Sequence, residues 1–279
     1  MTIVQIAPSL VINQSRIFAM NAGAFVRDGD AYLVDPGIFA DEIATLGEAV
    51  IERGARVRGI IVTHSHWDHI LGPQHFPGVP VIAHRRAAEN LAREADQVER
   101  LVAERLFEHG RWLTQRFTIP HIDVVVEDQL VLPFRSSQLH LTHAPGHCDD
   151  QLVVYEQLER TLWAADMLSD LEIPFVEDVA AYRSTIERLR QYDIAHLVPG
   201  HGGPTSDGSA IRSRIEWDGD YLSLLDREVA RAVREGHSLE QTQVALTAWP
   251  LRRPDLNAQE HRRNIATAFA AAARGPESA

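Results

Sequence analysis

Residues 63–72 read THSHWDHILG, directly after the apolar run GIIV at 59–62. A short apolar run bounded by glycine and by a polar turn predicts a buried strand. That strand delivers three histidines and an aspartate, His64, His66, Asp68 and His69, within six residues. In an extended segment side chains two apart point the same way, so His64 and His66 can grip one ion together. Asp68 and His69 follow once the chain has begun to turn, face a different point and could hold a second ion. Imidazole and carboxylate without thiolate form a donor set for zinc or another borderline metal.

Three later stretches give this cluster its force. APGHCDD (144–150) places His147 on a Pro-Gly turn after the strand-like LHLTH (139–143). TLWAAD (161–166) ends on Asp166, and LVPGHG (197–202) ends on His201 in a glycine-rich turn. Each alone reads as an ordinary turn residue. Together they are potential ligands at the ends of strands, where loops gather into a site.

Outward from these motifs the chain alternates β and α patterns. AYLVDPG (31–37) is a strand entering a turn, after short runs at 3–6, 10–12, 17–20 and 24–27. Residues 40–53 have helical spacing, and PVIAH (80–84) is a strand. Leu91, Ala95, Val98, Val102 and Leu106 predict one amphipathic helix over 86–116. Strand-like IDVVVED (122–128), LVLPF (130–134), QLVVYE (151–156) and AHLVPGHG (195–202) follow, with a helix over 182–192. After Pro204 the pattern is mostly helical: Ser238 and Gln241 make a capping box, and Asn257 with Glu260 opens a final helix ending before Gly275. Two β-then-α blocks, 1–120 and 121–204, predict two similar layers in one unit.

Composition bounds the function. A chain of 279 residues, 45% hydrophobic and 24% charged, can bury one large core. Its net charge of −12 repels phosphate and argues against a nucleic-acid partner. A lone cysteine, Cys148, gives no disulfide scaffold. The first residues lack a signal-peptide pattern, and no apolar run reaches the ~20 residues of a membrane span. A cytoplasmic protein with no membrane contact is expected.

The order His64-x-His66-x-Asp68-His69, then His147, Asp166 and His201, resembles the metallo-β-lactamase superfamily of metallohydrolases. The resemblance covers residues 15–205, including the Leu33-Val34-Asp35-Pro36-Gly37 turn. It implies an α/β fold, a four-layer αβ/βα sandwich over residues 1–204, with 205–279 as a C-terminal helical extension packed on the same unit. It also implies a binuclear site along the open edge, with two zinc ions per chain, iron or manganese being the alternatives. By that resemblance His64, His66 and His147 hold one ion, Asp68, His69 and His201 the other, and Asp166 bridges them.

Two ions that share a water lower its pKa towards neutrality and polarise a carbonyl. Asp68 is then the catalytic residue that orients the hydroxide and passes its proton to the leaving group. The expected reaction is hydrolysis of a small ester, lactone or thioester. Asp166 stands where thiolate-type β-lactamases have cysteine, and the other binuclear lactamase class lacks the bridging aspartate, which leaves β-lactamase-type amide hydrolysis as a minor alternative. Lactonases of similar pattern carry a tyrosine where this chain has Ser169, and glutathione-thioesterase motifs are absent after Asp166. Two other classes stay open: a mononuclear iron oxygenase of the persulfide-dioxygenase type, separable by metal identity, and a non-catalytic scaffold, whose mark would be lost ligands. Trp67 and Phe175 are expected pocket walls for the substrate, and Cys148 a small buried side chain behind the site. Helix 86–116, with Phe107 and Trp112, could be a lid or a homodimer surface, though docking on its own core is favoured. Residues 205–279 could form a wall of the pocket or a structural cap. His84, His143 and His196 are read as structural.

Overall fold

The computed structural model describes residues 3–110 and 116–274. Period-two burial organises its first half. In β2 (Leu10–Gln14), which follows β1 (Ile3–Ala7), Leu10 and Ile12 face one side and Val11 the other. The same alternation runs through β3 (Asn21–Arg27), β4 (Asp30–Val34), β5 (Arg56–Ile61), β6 (Val81–His84) and β7 (Val124–Val126). These form one seven-stranded sheet in chain order. Its first four strands pair antiparallel. From β4 onward the pairs are parallel, which requires crossovers. The crossovers are α1 (Ala40–Glu52), then residues 62–80 with a 3₁₀ turn at Pro73–His75, then α2 (Arg85–Arg93) with α3 (Ala95–Glu108).

A second, five-stranded sheet contains β8 (Gln129–Phe134), β9 (Ser137–His143), β10 (Leu152–Glu156), β11 (Thr161–Trp163) and β12 (His196–Val198). Only β11 and β12 run parallel, joined through α4 (Val179–Leu189). The two sheets face each other across Leu10, Ile12, Phe25, Ile61, Leu141, Val154 and Trp163. Helix α1 and α2–α3 cover the outside of the first sheet. The second is covered by α4 with α5 (Gly208–Arg234) and α7 (Pro254–Arg274), and α6 (Leu239–Leu246) packs on α7. This is the expected four-layer αβ/βα sandwich with C-terminal helices. Among the described residues no helix is long and apolar enough to cross a membrane.

Several boundaries differ from the sequence reading. The single helix over 86–116 is two helices that break at Glu94 and stop at Glu108. No glycine or proline marks the break; packing sets it, turning Val98 and Leu101 toward Trp67 while Val102 and Leu106 reach the core. Trp112 lies outside the described residues. The short run at 17–20 is a turn, with Phe18 and Ala19 at positive φ. The 182–192 helix starts earlier, at Val179, because the Asp178 carboxylate accepts from the Ala181 N–H. The final helix starts at Pro254, where a missing N–H loses nothing, and Asn257 is spent on other contacts. The Ser238–Gln241 capping box forms as expected.

Candidate metal centre

The four motif-bearing segments leave the same edge of the two sheets. After β5 the chain turns through 62–69; after β9, β11 and β12 it turns through 144–150, 164–168 and 199–203. Two glycines make the approach possible. A Cβ at Gly200 would lie 2.1 Å from the Asp166 Oδ1, so only glycine lets this carboxylate sit against the β12 turn. Gly146, at φ +133°, sits so tightly on the backbone of Tyr182 that a Cβ would fall 2.2 Å from its Cα. That contact fixes the turn carrying His147.

His64, His69, His147 and His201 each have the outward nitrogen fixed and the inward nitrogen aimed at the cluster. His69 Nδ1 donates to Asp35 Oδ2 at 2.9 Å. Asp35 also accepts from the Thr63 N–H and hydroxyl, at 2.8 and 2.6 Å. That leaves the Thr63 oxygen to accept from His64 Nδ1 at 3.0 Å. His147 Nδ1 donates to the Phe175 carbonyl (3.2 Å) and His201 Nδ1 to the Phe18 carbonyl (3.1 Å). Such partners set tautomer and ring orientation.

Inward, His66 Nδ1 lies 3.0 Å from both His64 Nε2 and His147 Nε2. A second group forms where Asp68 Oδ2 lies 3.4 Å from His201 Nε2 and 3.9 Å from His69 Nε2. Asp166 reaches both: Oδ2 is 3.4–3.5 Å from His147, His64 and His201, and Oδ1 is 3.3 Å from His69. Thus the structure brings all seven sequence-selected residues together. Among the described residues His69 Nε2 and Asp166 Oδ1 are buried without a hydrogen-bond partner.

Electrostatics divides the cluster. Burial, with His64 beside it, lowers His66 to about 4, and burial holds His147 well below its ordinary value. Both are therefore neutral, the form in which imidazole binds metal. Burial also opposes charge on His69 and His201, but Asp166 and its neighbouring carboxylates outweigh it and raise both. Asp166 is held low against the effect of burial by His201, His69 and His64. Converging imidazole lone pairs and buried orphan atoms are costly unless a cation lies among them. The donor set fits a pair of divalent ions.

Cys148 lies near the first group of three histidines, yet its thiol donates to Asp150 at 3.0 Å. Burial and Asp150 push its pKa well up, so the thiolate needed of a ligand or nucleophile is disfavoured. His84 and His143 stack at 4.0 Å and His196 bonds Ser206, all outside the cluster. Trp67 and His66 line a groove of about 320 Å³ whose apolar side is Leu91, Val98 and Leu101 and whose other side carries Arg93, Glu94, Asp149 and Glu177. Phe175 packs its ring 6.3 Å from that of His147, besides holding His147 through its carbonyl.

Sequence reasoning missed the residues that hold the ligands. Asp35 was legible only as a turn. Gln151 accepts from the Asp166 N–H at 3.1 Å, and Asp150 from the Ser65 N–H at 3.3 Å. The segment 168–176 depends on the C-terminal helices. Asp218 accepts from the Leu168 N–H (3.0 Å), and Arg252 donates to the Ser169 carbonyl (2.5 Å). Asn257 bonds the Ile173 N–H and the Leu171 carbonyl, while Asn264 bonds the Val176 N–H and the Pro174 carbonyl. No local signal in the sequence announces the pairings of segment 168–176, which span 50 residues or more.

Comparison with known proteins agrees with this arrangement. The sequence profile of the Metallo-beta-lactamase superfamily matches residues 18–201. The Beta-lactamase-like protein 2 homolog of Caenorhabditis elegans is 22% identical over 261 residues, 87% of this chain and 80% of that protein. Atrochrysone carboxyl ACP thioesterase AgnL7 of Paecilomyces divaricatus is 26% identical over 239 residues, 80% of this chain but 66% of that one. The sec-alkylsulfatase Pisa1 from Pseudomonas sp. has the same fold, with a TM-score of 0.78 at 16% identity over 99% of this chain. This chain spans 50% of the sulfatase's length. With the profile reaching from the Phe18 turn to His201, and every motif residue inside it, the chain belongs to the Metallo-beta-lactamase superfamily of metal-dependent hydrolases.

Proposed function

We propose that this chain is a binuclear-zinc hydrolase of a small ester, lactone or thioester. The observation that carries the reading is Asp166, whose two oxygens lie between the His64–His66–His147 and Asp68–His69–His201 groups. On this reading those two groups each hold one ion and Asp166 bridges them. The pair supplies water activation and polarisation of the scissile carbonyl when bound. Iron or manganese would satisfy the same nitrogen and oxygen donors.

The chain's own residues do the rest. Asp68, kept ionised against burial by His69 and His201, orients the attacking water and receives its proton. It then hands that proton to the departing oxygen or sulfur. Asp35 and Thr63 keep His69 and His64 in the tautomers that leave their Nε2 atoms free. Trp67 and the groove beside it bind the apolar part of the substrate, and Phe175 backs His147. The similarity to a protein named as a thioesterase supports keeping thioesters in the substrate class. A cytoplasmic site of action fits the single buried thiol. Residues 1–204 form the catalytic sandwich and 205–279 a helical extension that braces it.

The test is a panel of short-chain esters, lactones and acyl thioesters, assayed on protein as purified, after metal depletion, and after zinc is restored. Turnover that is lost on depletion and returns with zinc is expected. Turnover that survives depletion, or failure on every member of the panel, would overturn the reading.

A further inference from the structure

The braced segment 168–176 carries one side chain that nothing above employs. Glu172 is half-buried and lines, with His147, Asp166, Phe175 and Tyr182, a crevice of about 10 Å³, room for a single hydroxyl-sized group. Its backbone N–H donates to Ser169 Oγ at 3.0 Å, as does that of Leu171, so Ser169 is spent on shaping the turn. The Glu172 carboxylate itself has no hydrogen-bond or ion-pair partner among the described residues. Three carboxylates nearby are engaged by contrast: Asp35 by Thr63 and His69, Asp150 by Cys148 and Ser65, Asp218 by Arg252 and the Leu168 N–H.

We propose that Glu172 is a substrate-binding residue that accepts a hydrogen bond from a hydroxyl of the substrate and so orients the scissile carbonyl. This rests on the hydrolase reading above. The segment is rigidly held by Asn257 and Asn264, so the carboxylate is presented at a fixed place beside Asp166. The side chain lies within the field of His201, Asp166, Asp68 and His69, and burial pushes its carboxyl up to about 7. A half-buried acceptor without a partner loses free energy that a substrate donor would restore. The Trp67 groove lies on the His66 side of the cluster and Glu172 on the Asp166 side. A substrate seated over the cluster therefore meets the Trp67 side of the groove at one end and an acceptor at the other.

The test compares three esters: ethyl hexanoate, 2-hydroxyethyl hexanoate, and ethyl 6-hydroxyhexanoate. They are assayed on the wild-type holoenzyme, Glu172→Gln and Glu172→Ala. A hydrogen bond to a carboxyl acceptor is worth up to about tenfold in kcat/KM. We expect one hydroxylated ester to exceed ethyl hexanoate by that factor, mostly through KM. The ratio should fall to a few-fold in Glu172→Gln and to near one in Glu172→Ala, whatever happens to absolute rates. If Glu172→Ala does not fold, the ratio in Glu172→Gln decides. An unchanged ratio in the folded variants, or a wild type without preference, overturns the proposal.

A second measurement separates this claim from the hydrolase reading. Ligand-observed NMR compares binding of 1,6-hexanediol and 1-hexanol to the same proteins. Stronger binding of the diol that is lost on substitution supports Glu172 even if no ester is turned over. Equal binding of the two alcohols, unaffected by substitution, counts against it.

Discussion

Two regions build the metal centre in opposite ways. The turn 62–69 is local: four candidate ligands lie within six residues, and β5 and Asp35 orient them from the same sheet. Segment 166–177 contributes Asp166 and the Phe175 carbonyl that holds His147, yet its backbone is satisfied mainly by side chains from α5, α7 and the loop between α6 and α7. One region is specified by adjacency in sequence, the other by long-range polar pairing. Substitutions in the first should strike chemistry, and those supporting the second should strike stability and substrate placement together.

The largest effect is expected at the turn itself. Asp68→Ala should lower hydrolysis by about three orders of magnitude or more, with circular dichroism unchanged, since several kcal/mol of transition-state stabilisation would be lost. Full activity in that variant would break the assignment. One step back, Asp35→Asn leaves the shape but weakens the acceptor for His69 and Thr63. Loss of such an orienting partner lowers metal affinity by about 10–100-fold, measurable by competition with a chelating dye.

Across the comparison, Asn264→Ala should destabilise the protein by about 1–3 kcal/mol in urea unfolding, because the Val176 N–H and the Pro174 carbonyl lose a buried partner. It should also raise KM, since the loop carrying Phe175 and Glu172 loosens. A change in kcat alone would contradict that role. Smallest of all, Cys148→Ala should alter stability by about 1 kcal/mol and leave turnover nearly unchanged. Loss of activity there would return the thiol to the site.

Acidity offers a further way to sharpen the picture. In the metal-free protein His69 and His201 are raised by neighbouring carboxylates. Their contribution is therefore complete below the ordinary histidine pKa and lost as pH rises through the raised folded value. Metal binding requires the same rings neutral and tightens in that direction. The gap in Tm between zinc-loaded and metal-depleted protein should widen from pH 6 to pH 9. A gap that narrows would show that these rings are not ligands.

This contrast also explains what the sequence revealed. The sandwich was legible because apolar runs alternate with helical periodicity and because strand ends carry the ligands. The seven-residue cluster was legible because its members recur at strand ends in a fixed order. The break at Glu94 was not, since no helix-stopping residue stands there. Nor was the bracing by Asn257 and Asn264: a polar residue in an amphipathic helix looks solvent-facing until tertiary packing buries it. Asn257 even resembled a helix opening, because the same side chain serves either purpose.

Elemental analysis of protein purified without chelator or nickel affinity tests the central claim most directly. The account predicts close to two zinc ions per chain, reduced in Asp166→Ala. One iron per chain, or no bound metal after purification with zinc present, would contradict it.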